Sequence, residues 1–340
     1  MEKPSQPEGP SPALFFQTVN AYQQTAALKT AIELDLFTAI AEGKRTPSSL
    51  AQHCEASERG IRMLTDFLTN AGFLNKENSE YTLTPECAMF LDRRSPGYLG
   101  GTIEFLVSPS LMEGFNQLTT AVRKGGTAVN DEGTIEPEHP EWVTFARSMV
   151  PLMKNPANWI ANWVSQQSLH IRKVLDVAAS HGIFGVEIAK NLPEAEITAL
   201  DWANVLTVAQ ENAEAAGIQD RFRRLPGSAF DVDLGHGYDL VLLTNFLHHF
   251  DVPTCETFLK KVHGCLKNGG RMITLEFVPN EDRISPPTMA DFSLVMLATT
   301  PSGDAYTFSE YDCMFRNAGF SHSEMHDVAA SNQRAIITQK

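Results

Sequence analysis

From Val174 onward, short apolar runs alternate with helical ones, and that alternation restricts the second half of the chain to one class of architecture. Runs with strand character cover 173–177, 196–201, 222–226, 238–244, 271–277 and 334–339. Helical runs at 184–191, 205–216, 254–265 and 308–318 lie between them. Strands separated by helices pair in parallel, because each return to the sheet needs a long crossover. Strands as apolar as these are covered on both faces. The expectation over 166–340 is an α/β fold with a doubly wound, mostly parallel sheet.

The first half reads differently. Residues 1–12 are rich in Pro, Ser, Glu and Gly and are expected to be a disordered tail. Between 15 and 40, Leu28, Ile32, Leu36 and Ile40 recur as one face of a helix. Thr46 or Ser48 can cap the next helix, with Pro47 in its first turn. Ser57 can cap a third helix over 58–71, closed by Gly72, and strand-like pieces at 73–74 and 81–83 flank a polar tip. Three helices and a hairpin over 13–97 have the outline of a winged helix. Residues 98–165 read as all-helical, with a polar loop at 125–140 and an amphipathic helix over 142–153.

Charge narrows the partners. The 340 residues carry 27 Lys and Arg against 41 Asp and Glu, a formal charge of −14. Nucleic acid partners demand a basic footprint. In the third helix Arg59 and Arg62 are offset by Glu58 and Asp66, and the hairpin tip reads KENSE, so no nucleic acid partner is expected. No stretch approaches the roughly 18–20 apolar residues of a membrane span. The N-terminus lacks the basic and apolar regions of a signal peptide, and a cytoplasmic location is the default. Cys54, Cys87, Cys255, Cys265 and Cys313 are scattered without a C-x-x-C pair, against a disulfide framework or a structural zinc site.

Open α/β sheets bind ligands beyond the carboxyl ends of their strands. The first strand runs into Ala178-Ala179-Ser180-His181-Gly182. Small side chains let a ligand approach the backbone near a helix N-terminus, although a tightly packed structural turn would look the same. The second strand ends at Asp201-Trp202. An acid there can accept hydrogen bonds from both hydroxyls of a ribose or cap the following helix. LPGSAFD follows the third strand. The fourth is apolar through Leu243, then polar at Thr244 and Asn245, with His248 and His249 just beyond. A fifth, after Gly269-Gly270, carries Glu276 near its end. The adjacent histidines lack the Asp or Cys spacing that would complete a metal site.

Taken in order, DVAASHG, ALDW, GSAFD, NFLHHFD, LKNGGRMITLEF and FRNAGF resemble the motifs of class I S-adenosylmethionine-dependent methyltransferases, whose catalytic domain is Rossmann-like. With its N-terminal helices the chain is similar to small-molecule O-methyltransferases that carry a winged-helix-like dimerisation domain. The resemblance implies S-adenosylmethionine as cofactor, a small aromatic or polyketide-like hydroxyl acceptor, and a homodimer formed through the N-terminal domain. Asp176, Ala178, Ser180, His181 and Gly182 would form the cofactor loop. Asp201 would hold the ribose, Trp202 would flank the adenine, and Ser228, Ala229 and Phe230 would surround it. Thr244 and Asn245 would lie near the methionine end. Phe145 and Met149 match a helix that covers cofactor and acceptor, so 98–165 would help form the acceptor pocket, with His249 and Met296 at its border. Phe15, Phe16, Asn20 and Tyr22 would reach toward the partner's pocket. His248 would be the general base, oriented by Glu276.

The chemistry is consistent. A phenol with a pKa of about 10 is a poor nucleophile at neutral pH, and a histidine near about 6.5 can take its proton during attack. Several positions depart from the family pattern. His181 interrupts the glycine-rich loop, Ser228 stands where many relatives have Asp, and Thr244 and His249 replace the Lys and Asp of plant members. Ala305 occupies the place expected for a second carboxylate. These departures leave open a reaction on the same fold without methyl transfer, such as cyclisation, rearrangement or decarboxylation. A winged-helix DNA regulator is the remaining alternative.

Overall fold

The computed structural model describes residues 9–167 and 170–340. The tail expected over 1–12 lies largely outside them, and residues 9–12 are exposed without helix or strand. The chain divides into two compact units between Ile103 and Glu104.

The first unit contains α1 (Ala13–Val19), α2 (Ala21–Glu33), α3 (Leu36–Ala41), α4 (Pro47–His53), α5 (Glu58–Asn70), the hairpin β1 (Leu74–Glu77) and β2 (Glu80–Leu83), and α6 (Pro85–Phe90). The helical stretch expected over 15–40 is thus three helices. Ile32, Leu36 and Ile40 are buried in one core with Leu28 packed against it, but the backbone turns at Asp35, in the left-handed region with φ 53°. The Asp35 carboxylate accepts the Thr38 hydroxyl at 2.8 Å and Arg93 Nε at 2.8 Å. A short polar side chain thereby offers the backbone an alternative to continuing the helix. Thr46, not Ser48, caps α4 in a reciprocal box with Ser49, and Pro47 fills the first turn. Ser57 caps α5, an arrangement that contributes about 1 kcal/mol. α1 buries none of its residues, and Leu14, Phe15, Phe16, Val19 and Tyr22 are exposed.

The second unit follows α7 (Ile103–Leu106) with α8 (Pro109–Asn116), α9 (Leu118–Lys124), α10 (Glu141–Ser148) and α11 (Val150–Gln166). The helix expected over 142–153 is two helices parted at Met149. Next come β3 (Lys173–Val177), α12 (Ile183–Asn191), β4 (Glu196–Asp201), α13 (Leu206–Ala215), β5 (Phe222–Pro226), β6 (Tyr238–Thr244), α14 (Val252–Cys265) and β7 (Leu266–Glu276). The chain ends with α15 (Pro287–Ala290), α16 (Phe292–Thr299), α17 (Phe308–Asn317), β8 (His322–Asp327) and β9 (Arg334–Gln339).

The seven strands lie in the order β5-β4-β3-β6-β7-β9-β8. β3 to β7 pair in parallel, and β9 runs antiparallel to both of its neighbours. β8 was not legible in the sequence: HSEMHD has no apolar face, as suits a strand at a sheet edge. Every residue of the central strand β6 is buried. One face of the sheet packs against α11, α12 and α13, the other against α14 and α17. The parallel strands therefore deliver Val177, Asp201, Thr244 and Glu276 to one edge of the sheet. No helix among the described residues is long and apolar enough to cross a membrane.

Candidate active site

The turn from β3 to α12 is conformationally costly. Ala178, Ser180 and Gly182 all have positive φ, at 50°, 51° and 69°. A non-glycine residue in that region costs of order 1 kcal/mol, and such residues concentrate at ligand sites. A Cβ on Gly182 would lie 2.9 Å from the Ala209 Cβ, and one on Gly185 2.6 Å from Ile197 Cγ2, so both positions require glycine. Asp201 bridges the ends of two strands. Its Oδ2 accepts the Ser180 N–H at 2.8 Å and its Oδ1 the Trp202 N–H at 2.7 Å. It does not cap α13, which starts after Val205. Burial pushes its carboxyl up to about 6 against the pull of those two donors.

Asp176 lies beneath the loop and is wholly buried. Its Oδ2 accepts the Gly185 N–H at 3.0 Å, and its Oδ1 has no partner. Burial pushes this carboxyl up to about 8; the Gly185 N–H opposes the shift and the nearby Asp201 charge adds to it. The Ser180 hydroxyl is also buried without a partner. His181 is buried, accepts the Ile183 N–H at 3.3 Å and stacks on Phe145 with ring centroids 6.3 Å apart. Burial lowers it to about 4, so it is neutral at neutral pH. A strained small-residue loop, an idle hydroxyl and a carboxylate reaching across the loop suit a ribonucleoside, whose hydroxyls need an acceptor.

The segment after β5 is held from below. Lys261 Nζ donates to the carbonyls of Ala229, Phe230 and Val232 at 3.0, 2.8 and 2.6 Å. The Ser228 hydroxyl accepts the Phe230 N–H at 3.2 Å. Phe230 packs on Phe246, Phe250 and Phe258. Trp202 joins Trp142 and Val143 around a buried cluster of Ala146, Val205 and Val208.

His248 sits in a single 3₁₀ turn just after β6. The bond between Glu276 and its ring is 2.5 Å long: His248 Nδ1 donates to Oε2 of a carboxylate that is 0% exposed. Glu276 Oε1 accepts the N–H groups of Phe246 and Leu247 at 3.0 and 2.9 Å. One buried carboxylate thus anchors both the turn and the imidazole, and its charge is matched by three donors. A carboxylate acceptor on Nδ1 keeps the proton there and leaves the Nε2 lone pair free. A second carboxylate, Asp304, pairs with Arg283 at 3.2 Å while its N–H donates to the His248 carbonyl at 2.9 Å. Ala305 is buried, and among the described residues Glu276 is the carboxylate hydrogen-bonded to the ring.

Aromatic and sulfur-bearing side chains surround this point. The Phe292 ring lies edge-on to His248 with centroids 4.9 Å apart and stacks on Phe277 at 3.9 Å. Met296, one turn along α16 from Phe292, is buried. His249 lies 4.2 Å from His248 and 5.3 Å from Trp142, centroid to centroid. Burial, then the neighbouring His248, holds its ring well below the usual histidine range. Trp142 in turn meets Phe145 at 5.9 Å, and Phe105 meets Phe145 at 4.9 Å. Met149 is buried at the junction of α10 and α11. Thr244 is buried at the end of β6, and Asn245 follows with φ 55°. Sequence reasoning missed Trp142 and Phe292. Both are indistinguishable from core residues by type.

Residues 145–321 match the O-methyltransferase domain family, and residues 16–93 match the O-methyltransferase dimerisation domain. The chain therefore belongs to the O-methyltransferase family. It is 28% identical over 337 residues to the tetracenomycin polyketide synthesis 8-O-methyl transferase of Streptomyces glaucescens, covering 96% of each chain. A provisionally assigned O-methyltransferase of Nostoc punctiforme PCC 73102 has a solved structure with 56% identity and a TM-score of 0.95, over 98% of this chain and 100% of that one. Human N-acetylserotonin methyltransferase, solved in complex with S-adenosylmethionine, is 21% identical with a TM-score of 0.83, over 98% and 99% of the two chains, and shares the fold.

Proposed function

We propose that this enzyme transfers the methyl group of S-adenosylmethionine to a hydroxyl of a small aromatic or polyketide-like molecule, with His248 as the general base. The single observation carrying the base assignment is the buried Glu276–His248 pair at the carboxyl ends of β6 and β7. The aromatic surround of His248 and the polyketide-modifying relative support the acceptor class. The decisive experiment is whether a methyl group from the cofactor ends on an acceptor oxygen.

When bound, S-adenosylmethionine supplies an electrophilic methyl group on a sulfonium cation. The chain's own residues do the rest. Asp201 accepts from the ribose hydroxyls, exchanging its present backbone donors for them in part. The loop at Ala178–Gly182 gives the ligand close access to backbone, with Ser180 offering its idle hydroxyl. The Phe230 region and Trp202 enclose the adenine end, and Thr244 and Asn245 the methionine end. Phe145 and Met149 cover the site, while His249 and Met296 border the acceptor. His248 Nε2 takes the acceptor proton as the oxygen attacks, and Glu276 stabilises the imidazolium that results. Holding the two reactants in line supplies much of the remaining acceleration.

Two copies associate through the N-terminal unit in this reading, burying the apolar residues of α1. Phe15→Ser with Phe16→Ser is expected to convert a dimer into a monomer in sedimentation velocity. A wild-type monomer at micromolar concentration contradicts that assignment.

A further inference from the structure

The turn that carries His248 is a single 3₁₀ turn over residues 247–249. The His249 N–H closes on the Phe246 carbonyl at 3.3 Å and the Phe250 N–H on the Leu247 carbonyl at 3.1 Å. So brief a turn has poor hydrogen-bond geometry and needs outside support to keep one orientation. Glu276 ties its N–H side through Phe246 and Leu247. Its carbonyl side meets the segment between α16 and α17. There the Asp304 N–H donates to the His248 carbonyl at 2.9 Å, and the Tyr306 hydroxyl to the Phe250 carbonyl at 2.6 Å. Gly303 lies so close that a Cβ on it would collide with the His248 carbonyl oxygen. The segment is itself fixed: the Gly303 N–H donates to the Thr300 hydroxyl at 2.9 Å, Asp304 pairs with Arg283, and Tyr306 is buried. His248 is thus held twice, by its ring through Glu276 and by its carbonyl through Asp304.

We propose that Tyr306 and Gly303 are positioning residues for the base: the Tyr306 hydroxyl and the close seat at Gly303 fix the turn, so that His248 Nε2 keeps one orientation toward the acceptor. The inference rests on His248 being the base and adds which residues, beyond the Glu276 pair, hold it in place. A base must stand within hydrogen-bond reach of the proton it takes, and a displacement of about 1 Å can cost about 10²-fold in rate. Both residues act through His248, so their loss falls on turnover and leaves cofactor binding intact.

The test compares the full chain with Tyr306→Phe, which keeps the ring and removes only the donor to Phe250. Activity is followed as S-adenosylhomocysteine formed with the best acceptor from a panel of small phenols and naphthols. Tyr306→Phe is expected to lower kcat by about fivefold to tenfold, the worth of one lost hydrogen bond, with the acceptor KM and the affinity for S-adenosylhomocysteine within about twofold of wild type. Gly303→Ala, which forces the His248 carbonyl aside, should lose about 100-fold. In a His248→Ala background Tyr306→Phe should cost nothing further, because the group it positions is gone. Proton exchange in histidine-labelled protein gives a second readout, independent of any acceptor. The Nδ1 proton resonance that His248→Ala abolishes should exchange about fivefold faster or more in Tyr306→Phe. Unchanged kcat and exchange in Tyr306→Phe, or an equal slowing of the His248→Ala enzyme as a general structural role would give, overturns the proposal. Full activity in His248→Ala overturns the base assignment instead, and this inference with it.

Discussion

His248→Ala is expected to lower kcat by about 10²–10⁴-fold, the range typical of a lost general base, while the affinity for S-adenosylhomocysteine stays within about twofold of wild type, since cofactor contacts are unaffected. The imidazole reaches no residue of the β3–α12 loop; its bond is to Glu276. Glu276→Gln makes the sharper companion. A glutamine can still accept from Phe246 and Leu247, so the turn should hold. It would, however, present either an N–H or a weaker acceptor to Nδ1. With the N–H facing it, the imidazole must carry its proton on Nε2, where it cannot act as a base. A comparable loss in kcat is expected, as in other sites where a carboxylate fixing a catalytic tautomer becomes an amide. Stopped assays that quantify S-adenosylhomocysteine give both numbers. Full activity in His248→Ala removes the assigned base.

Asp201→Ala should weaken S-adenosylhomocysteine binding by about 100-fold or more, the equivalent of two hydrogen bonds to a charged acceptor. Circular dichroism controls for folding, since the change also strips partners from the Ser180 and Trp202 N–H groups. The same carboxylate sets a pH dependence. Burial raises its pKa from 3.8 to about 6, so it is charged above that value and protonated below it. Affinity should be flat above pH of about 6 and fall by about tenfold per unit below it, whereas Asp201→Asn should lose that slope. Stability runs in the opposite sense. A carboxyl whose folded pKa is raised keeps its proton longer than the unfolded chain does, so the ligand-free protein loses stability as pH rises from about 4 to about 6. Asp176 extends the same trend toward about 8. Isothermal titration across pH checks the binding half of this expectation. An affinity that rises on acidification would contradict it.

The parallel sheet was legible because its strands are too apolar for any setting but a doubly covered core, and β6 is buried along its whole length as 238–244 implied. The elements that went unread are those whose positions depend on local polar competition or on an edge. Asp35 interrupts a run whose apolar period is intact, and Met149 parts two helices in a stretch that reads as one. β8 lacks an apolar face altogether. At the site, the strand-end rule led to Asp201, Asn245 and His248 directly, because polarity appears there abruptly after apolar residues. Its limit was orientation. The family resemblance gave Glu276 holding His248, but no pattern in the sequence states that the same carboxylate also takes two backbone N–H groups while Asp304 turns outward to Arg283.

The most direct measurement incubates the protein with S-adenosylmethionine bearing a trideuterated methyl group and a panel of small phenols and naphthols, and follows products by mass spectrometry. The expected result is a trideuteromethyl ether, with the label on oxygen and one S-adenosylhomocysteine formed for each ether. Label on carbon or nitrogen, or an altered acceptor formed without label and without S-adenosylhomocysteine, would contradict the assignment of this enzyme as a small-molecule O-methyltransferase acting through His248.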